Sequence, residues 1–173
     1  MKKIFLIGRR RTGIQTTIKA LTIMGYKRSK ILTSTSPDNN IDIETLISKM
    51  KTLDVCGILI DYTLGDIKAI EAAYPDSTFV LNKRDSSLWY SSFVRYFSKL
   101  EGINPQSAYK NKGHYITSYY EKFNNDVAVH FDGRAWKLFT LNLNGSHSWQ
   151  GICSYLKKPI PSVSFPHENR SLR

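Results

Sequence analysis

"KIFLIGRRRTGIQTTIKAL", Lys3–Leu21, decides how the fold is read. The apolar run Ile4–Ile7 stops at Gly8, and a turn carrying Arg9, Arg10 and Arg11 follows. Beyond the turn, Ile14, Ile18, Leu21 and Met24 recur at helical spacing until Gly25. A short branched run that ends at glycine predicts a buried strand, and the recurrence predicts an amphipathic helix. A strand-to-helix turn presents backbone N–H groups where the helix dipole adds partial positive charge. Gly8 and Gly13 let such a turn curl round an anion, and the arginines supply charge. The stretch is suited to a phosphate-rich nucleotide.

Strand and helix signals continue to alternate along the chain. "SKILTST" (Ser29–Thr35) predicts a short strand, and "DIETLISKMKTL" (Asp42–Leu53) a helix with Ile43, Leu46, Ile47 and Met50 on one face. "VCGILID" (Val55–Asp61), "STFVLNK" (Ser77–Lys83) and "WKLFTLNL" (Trp136–Leu143) predict further strands. "LGDIKAIEAAY" (Leu64–Tyr74), "SSLWYSSFVRYFSKL" (Ser86–Leu100) and "SWQGICSYL" (Ser148–Leu156) predict helices. The second of these gathers Leu88, Trp89, Ser92, Phe93, Tyr96 and Phe97 on one side, and residues 105–130 read as helical but less regular. Strands rich in Val, Ile and Leu between helices indicate a mostly parallel sheet covered on both faces, a three-layer α/β/α arrangement with right-handed crossovers. Ligands bind such sheets at the carboxyl ends of the strands. Gly8–Thr17, Asp61 and Arg84 share that address. Residues 1–169 form one predicted domain, and 170–173 a polar tail.

The 173 residues are 41% hydrophobic and 12% aromatic, enough for a buried core. No apolar run reaches bilayer length, and the basic start is a poor signal peptide. Cys56 and Cys153 lie in apolar surroundings, which fits reduced thiols and a cytoplasmic location. Neither cysteines nor the four histidines have zinc-ligand spacing. The net charge of +11 suggests a polyanionic partner, with a solvated basic surface as the structural alternative.

The spacing of Gly8 and Gly13 matches the first half of a triphosphate loop, G-x-x-x-x-G-K-[ST], but Ile14 and Gln15 replace the Lys and Ser/Thr. The missing hydroxyl is the one that holds Mg²⁺, so a magnesium-dependent kinase or NTPase is disfavoured.

Three segments, in order, resemble the sulfotransferase family, in a small branch of that P-loop-like fold. The first is the opening loop, which the family writes roughly as G-x-x-K-[ST]-G-[ST]-[ST]. Gly8, Thr12 and Gly13 match in register, Arg11 takes the place of lysine, and Ile14 and Gln15 replace hydroxyl residues. "YPDSTFVLNKRDSSLWYSSF" is similar to the strand and helix that hold the 3′-phosphate, with Arg84 ending the strand and Ser92 eight residues later. "SWQGICSYLKKPIPSVSFPHENR" looks like the closing segment, through Trp149, Cys153, Leu156, Pro159, Pro161, Phe165, Pro166, His167 and Asn169.

The resemblance implies 3′-phosphoadenosine 5′-phosphosulfate as cofactor and metal-free transfer of its sulfuryl group to an acceptor hydroxyl or amine, for instance on a glycan. It implies a nucleotide-binding loop of Arg9, Arg10, Arg11, Thr12, Gly13, Ile14, Gln15, Thr16 and Thr17, with Thr16 or Thr17 adding a hydroxyl to the N–H groups of Thr12–Thr16. Arg11 stabilises the bridging oxygen, and Arg84 and Ser92 hold the 3′-phosphate. Asp61 is the best-placed general base. Alternatives stand beside these roles. Arg84 pairs with Asp85 or Asp61, Ser92 is a packing residue, and Asp61 caps a turn or orders Arg84. His114 is a surface residue, and Tyr115, Tyr119, Tyr120 and Phe123 are packing. Arginine cannot serve as a general acid, so a degenerate member that binds nucleotide without transfer is a second reading. A P-loop kinase and a nucleic-acid-binding module are the more distant ones.

Overall fold

The computed structural model describes residues 3–26, 32–33, 42–51, 57–104, 109, 111–144 and 149–167. Cys56, Asn169 and the tail 170–173 lie outside them. In chain order the elements are β1 (Ile4–Gly8), α1 (Ile14–Ile23), β2 (Leu32–Thr33), α2 (Ile43–Lys51), β3 (Gly57–Ile60) and α3 (Leu64–Ala73). They are followed by β4 (Thr78–Lys83), α4 (Ser86–Glu101), α5 (Gly113–His130), β5 (Leu138–Asn142) and α6 (Trp149–Leu156).

The five strands form one sheet in the order β2-β3-β1-β4-β5. Every neighbouring pair is parallel. Side chains alternate across this sheet, so each strand feeds two cores. Ile4, Leu6, Ile58, Ile60 and Val80 face α1 and α6. Phe5, Ile7, Leu59, Phe79 and Leu81 face α2, α3 and α5. Helices on both faces of a parallel sheet give the three-layer α/β/α fold expected from the sequence. Strands of only four to six residues suffice in β1, β3 and β4 because they are buried almost throughout.

The ends of these elements are locally encoded. Thr63 caps α3 and exchanges hydrogen bonds with Asp66 in a capping box. Asp85 caps α4 by accepting from the N–H groups of Ser87 and Leu88. Of residues 105–130, expected to be helical but less regular, 105–108 and 110 lie outside the described residues, and Gly113–His130 form the continuous 18-residue helix α5. Its buried positions, Tyr120, Phe123, Asn124 and Val127, keep a three-to-four residue spacing that polar neighbours such as Glu121 and Lys122 obscure in the sequence. The closing segment packs on α6, where Trp149 Nε1 donates to Val163 O at 2.6 Å and the Phe165 ring lies 4.8 Å from that of Trp149.

β1 is the central strand, and Gly8 is in register with Ile60 of β3 and Asn82 of β4. The turn after β1 therefore opens between Asp61 on one side and Arg84 on the other. The chain leaves β1 towards β2 and leaves β4 towards β5, in opposite directions along the sheet. Such a divergence marks a ligand crevice at the carboxyl ends of the strands.

Candidate functional site

The turn Arg9–Gly13 is held in a strained shape. Arg11 and Gly13 both have positive φ, 68° and 87°. A Cβ on Gly13 would stand 2.5 Å from Leu143 Cδ1, so close approach and the left-handed conformation together call for glycine there. The Thr12 hydroxyl donates to Arg9 O at 2.6 Å and tightens the turn. Asn82 Nδ2, on β4, donates to the Thr17 hydroxyl at 2.8 Å and reaches Thr12 O at 3.4 Å. Thr17 has no exposed surface. Its hydroxyl clips α1 to β4. The sequence carried a signal for this, because Thr17 falls on the same helical stripe as Ile14, Ile18 and Leu21. Thr16 is buried as well, at 4% exposure.

α1 begins without compensation. Gly13 at the N-cap offers no side-chain hydrogen bond, and the first turn contains no acidic residue. A carboxylate lies at the start of both α3 and α4, Asp66 in the capping box of Thr63 and Asp85 as the cap itself, whereas α1, like α5, starts with no side-chain cap and no acidic first turn.

The three arginines diverge. Arg9, 8% exposed, turns towards α5. Its guanidinium lies 4.0 Å from the Phe123 ring centroid and 4.8 Å from that of Tyr119, and Nη2 donates to Tyr119 Oη at 3.1 Å. Its Nε is buried with no hydrogen-bond partner. Arg10 turns to β3, where its N–H donates to Asp61 Oδ1 at 3.1 Å and its Nε to Asp61 Oδ2 at 2.7 Å. Arg11 turns to α4, donates from Nε to Ser92 Oγ at 3.2 Å and lies 4.8 Å from the Tyr96 ring centroid. Burial lowers the Arg11 pKa; Tyr96 opposes the shift, and the charges of Arg84 and Arg95 reinforce it. Arginine remains protonated at any ordinary pH, so these crowded cations form a field that favours an anion.

Arg84 follows β4. Its Nε is buried without a partner. Asp85 is occupied as the α4 cap, and its carboxyl is held low by hydrogen bonds from the Ser87 hydroxyl and the Leu88 N–H. Asp61 is engaged by Arg10. Among the described residues no carboxylate forms an ion pair with Arg84, so the structural alternative of pairing with Asp85 or Asp61 is not realised. Ser92 is not a simple packing residue either, since it receives Arg11.

Several supporting residues were not picked out from the sequence: Asn82, Asn144, which accepts from Asp85 N at 2.6 Å, and Arg95 beside Arg11. Asn82 had a signal, as the amide that directly follows the apolar run Phe79–Leu81. Of the aromatic group on α5, Tyr120 and Phe123 are buried, whereas Tyr119 is 55% and Tyr115 77% exposed. Tyr119 is the partner of Arg9, and His114 is exposed. On α4, Trp89 is buried, while Leu88 and Tyr96 remain 45% and 39% exposed. The predicted apolar side is thus wider than its contact face, and Tyr96 serves Arg11.

A basic turn at the tip of β1 and an arginine with a serine-bearing helix after β4 thus meet on one edge of a parallel sheet. A family model for the sulfotransferase domain matches residues 3–109 and 99–172. The chain belongs to the sulfotransferase family. Among curated proteins, none matches. No helix of the described residues is long and apolar enough to cross a membrane, and no His, Cys, Asp and Glu cluster among them is arranged to hold a metal ion. Cys153 is a buried free thiol whose pKa is raised by burial.

Proposed function

We propose that this sulfotransferase-family protein binds 3′-phosphoadenosine 5′-phosphosulfate and transfers its sulfuryl group to an acceptor hydroxyl or amine. The observation that carries the reading is the 3.2 Å contact between Arg11 of the first loop and Ser92 of α4, with Arg84 close enough for its charge to help lower the Arg11 pKa. The loop expected at the 5′ end and the residues expected at the 3′ end open onto one place. The site also fits a multiply charged anion by its own chemistry. α1 has no cap, Arg84 carries a buried orphan Nε, and three guanidinium groups crowd together with Asp61 committed elsewhere.

In this reading the N–H groups at the start of α1, within Thr12–Thr16, hold the 5′-phosphate, and Arg84 and Ser92 hold the 3′-phosphate through charge-assisted hydrogen bonds. The cofactor, when bound, supplies the sulfuryl group. Arg11 presents a fixed positive charge where negative charge develops on the leaving oxygen. It does not donate a proton. Arg9 adds a desolvated charge behind the loop, and Arg10, through Asp61, fixes the loop against β3. We assign Asp61 this ordering role in preference to that of acceptor base, because both of its oxygens contact Arg10. A cytoplasmic location fits the buried free thiol of Cys153.

A second reading rests on the same geometry. The groups near the loop are built for binding charge, and the carboxylate nearest to it is already paired. A member of the family that binds the nucleotide without transferring from it has this appearance.

Affinity for 3′-phosphoadenosine 5′-phosphate, measured against ATP with Mg²⁺, tests the proposal, with turnover of the phosphosulfate over a panel of acceptors separating the two readings. The bisphosphate is expected to bind preferentially. Arg84→Ala should weaken it about 10- to 100-fold, the loss of a charge-assisted bond of about 1.5–3 kcal/mol. ATP with Mg²⁺ binding as tightly as the bisphosphate overturns the assignment.

A further inference from the structure

Between the loop and Arg84 stand two aromatic rings with no part in the site as described so far. Trp89 on α4 and Tyr120 on α5 stack face to face, with centroids 4.1 Å apart and planes within 8°. Tyr120 has no exposed surface and Trp89 is 4% exposed, so neither reaches a ligand. Each ring carries one polar group, and both groups go to the backbone of the site. Trp89 Nε1 donates to Arg10 O at 2.8 Å. Tyr120 Oη accepts from Arg84 N at 2.8 Å and donates to Arg84 O at 3.0 Å. An unbroken path therefore runs from the Arg10 peptide through Trp89, across the stack, through Tyr120, to both backbone groups of Arg84.

Packing alone does not require these polar ends. A buried Phe–Phe pair fills similar space without desolvating an indole N–H and a phenol. Burial raises the pKa of Tyr120, which keeps the hydroxyl protonated and able to donate. Stacked aromatic pairs are stiff, because each ring has few torsions and close neighbours on both faces. The Arg84 carbonyl and N–H sit just past the end of β4, where no further ladder partner fixes them.

We propose that Trp89 and Tyr120 are positioning residues that form a brace, setting the distance between the anion pocket of the first loop and the pocket at Arg84. The brace selects an adenosine ligand phosphorylated at both ends over one phosphorylated at the 5′ end alone. Simultaneous engagement of two pockets is productive only if their separation is fixed in advance, since a loose pair spends binding free energy on ordering. This inference rests on the reading that the two pockets take the two phosphate ends of one nucleotide.

The experiment compares 3′-phosphoadenosine 5′-phosphate with adenosine 5′-phosphate by calorimetry on wild type, Tyr120→Phe and Trp89→Phe. Wild-type preference for the bisphosphate tests the underlying reading by itself, and its absence overturns that reading before any variant is made. Given the preference, Tyr120→Phe keeps the ring and removes both bonds to Arg84. It should lower bisphosphate affinity about tenfold, the loss of roughly one net buried hydrogen bond, while adenosine 5′-phosphate changes by less than about twofold. Trp89→Phe should reduce the same preference, and should also weaken both ligands because it frees the Arg10 carbonyl in the loop. A merely structural role predicts instead that each variant weakens both nucleotides by the same factor. Retention of the wild-type ratio in the folded variants overturns the brace. If Tyr120→Phe does not fold, the ratio in Trp89→Phe decides.

Discussion

Gly13→Ala puts the shape of the first loop to a quantitative test. The residue has φ 87°, where an L side chain costs about 1–2 kcal/mol. Its new Cβ would also lie 2.5 Å from Leu143 Cδ1, well inside contact distance. Leu143 is 6% exposed and packed in the core beneath α1, so it must rotate within a filled space. Overpacking of that kind costs about 1–3 kcal/mol. The expected sum is about 2–5 kcal/mol, and a chain of this size loses about 2–4 °C in Tm per kcal/mol, which gives a fall of roughly 4–20 °C. Gly25→Ala is the internal reference. Gly25 has φ 88° but nothing within 4 Å of a Cβ, so it reports the backbone cost alone. Thermal and urea unfolding of both variants, followed by circular dichroism, isolates the Leu143 contact as the difference between them. Gly13→Ala should also lose at least tenfold in affinity for the bisphosphate, since the start of α1 moves with it. Equal destabilisation of the two variants, within about 0.5 kcal/mol, would refute the claim that the loop is pressed against Leu143.

Other perturbations address the supporting contacts. Asp61→Asn preserves the left-handed backbone, which asparagine tolerates, and one acceptor for Arg10, but removes the charge. Stability should fall by about 0.2–1 kcal/mol, the modest value of a partly exposed pair, with transfer reduced less than tenfold; an abolished rate at unchanged stability would make Asp61 the base. Tyr155, whose hydroxyl donates to Trp136 O at 3.2 Å, has its pKa pushed up to about 12 by burial. A raised pKa means the folded state holds the proton more tightly, so this contribution is complete below about pH 10 and is lost as pH rises towards 12. Alkaline unfolding curves should therefore be steeper between pH 10 and 12 for wild type than for Tyr155→Phe, and identical slopes would exclude the assignment.

Much of the fold was legible because its information is local. Apolar runs ending in glycine or a charge mark β1, β3 and β4, and three-to-four residue recurrence marks α1, α2 and α4. The address of the site followed from the rule that parallel sheets bind ligands at their carboxyl ends. What the sequence withheld was direction. Nothing in "RRR" says that Arg9 runs to Tyr119, 110 residues on, or that Arg10 runs to Asp61, 51 residues on. Those partners are chosen by tertiary packing, after the elements have formed. α5 was blurred for a related reason. Only one stripe of it is buried, and exposed Tyr115 and Tyr119 make the apolar pattern look broader than it is. Thr17 has the chemistry of a ligand donor, whereas its helical phase places it inwards, against Asn82.

Three identical neighbouring letters thus perform three unlike tasks: one wedged among rings, one tied to a carboxylate, one leaning on a serine and a phenol. The triplet is accordingly not a reservoir of interchangeable charge. Lysine conserves the sign at each position but loses something different each time. It lacks the flat face for the first, and for the other two the Nε–H that meets Asp61 in one case and Ser92 in the other. Changes here should be read position by position, with no discount for apparent redundancy.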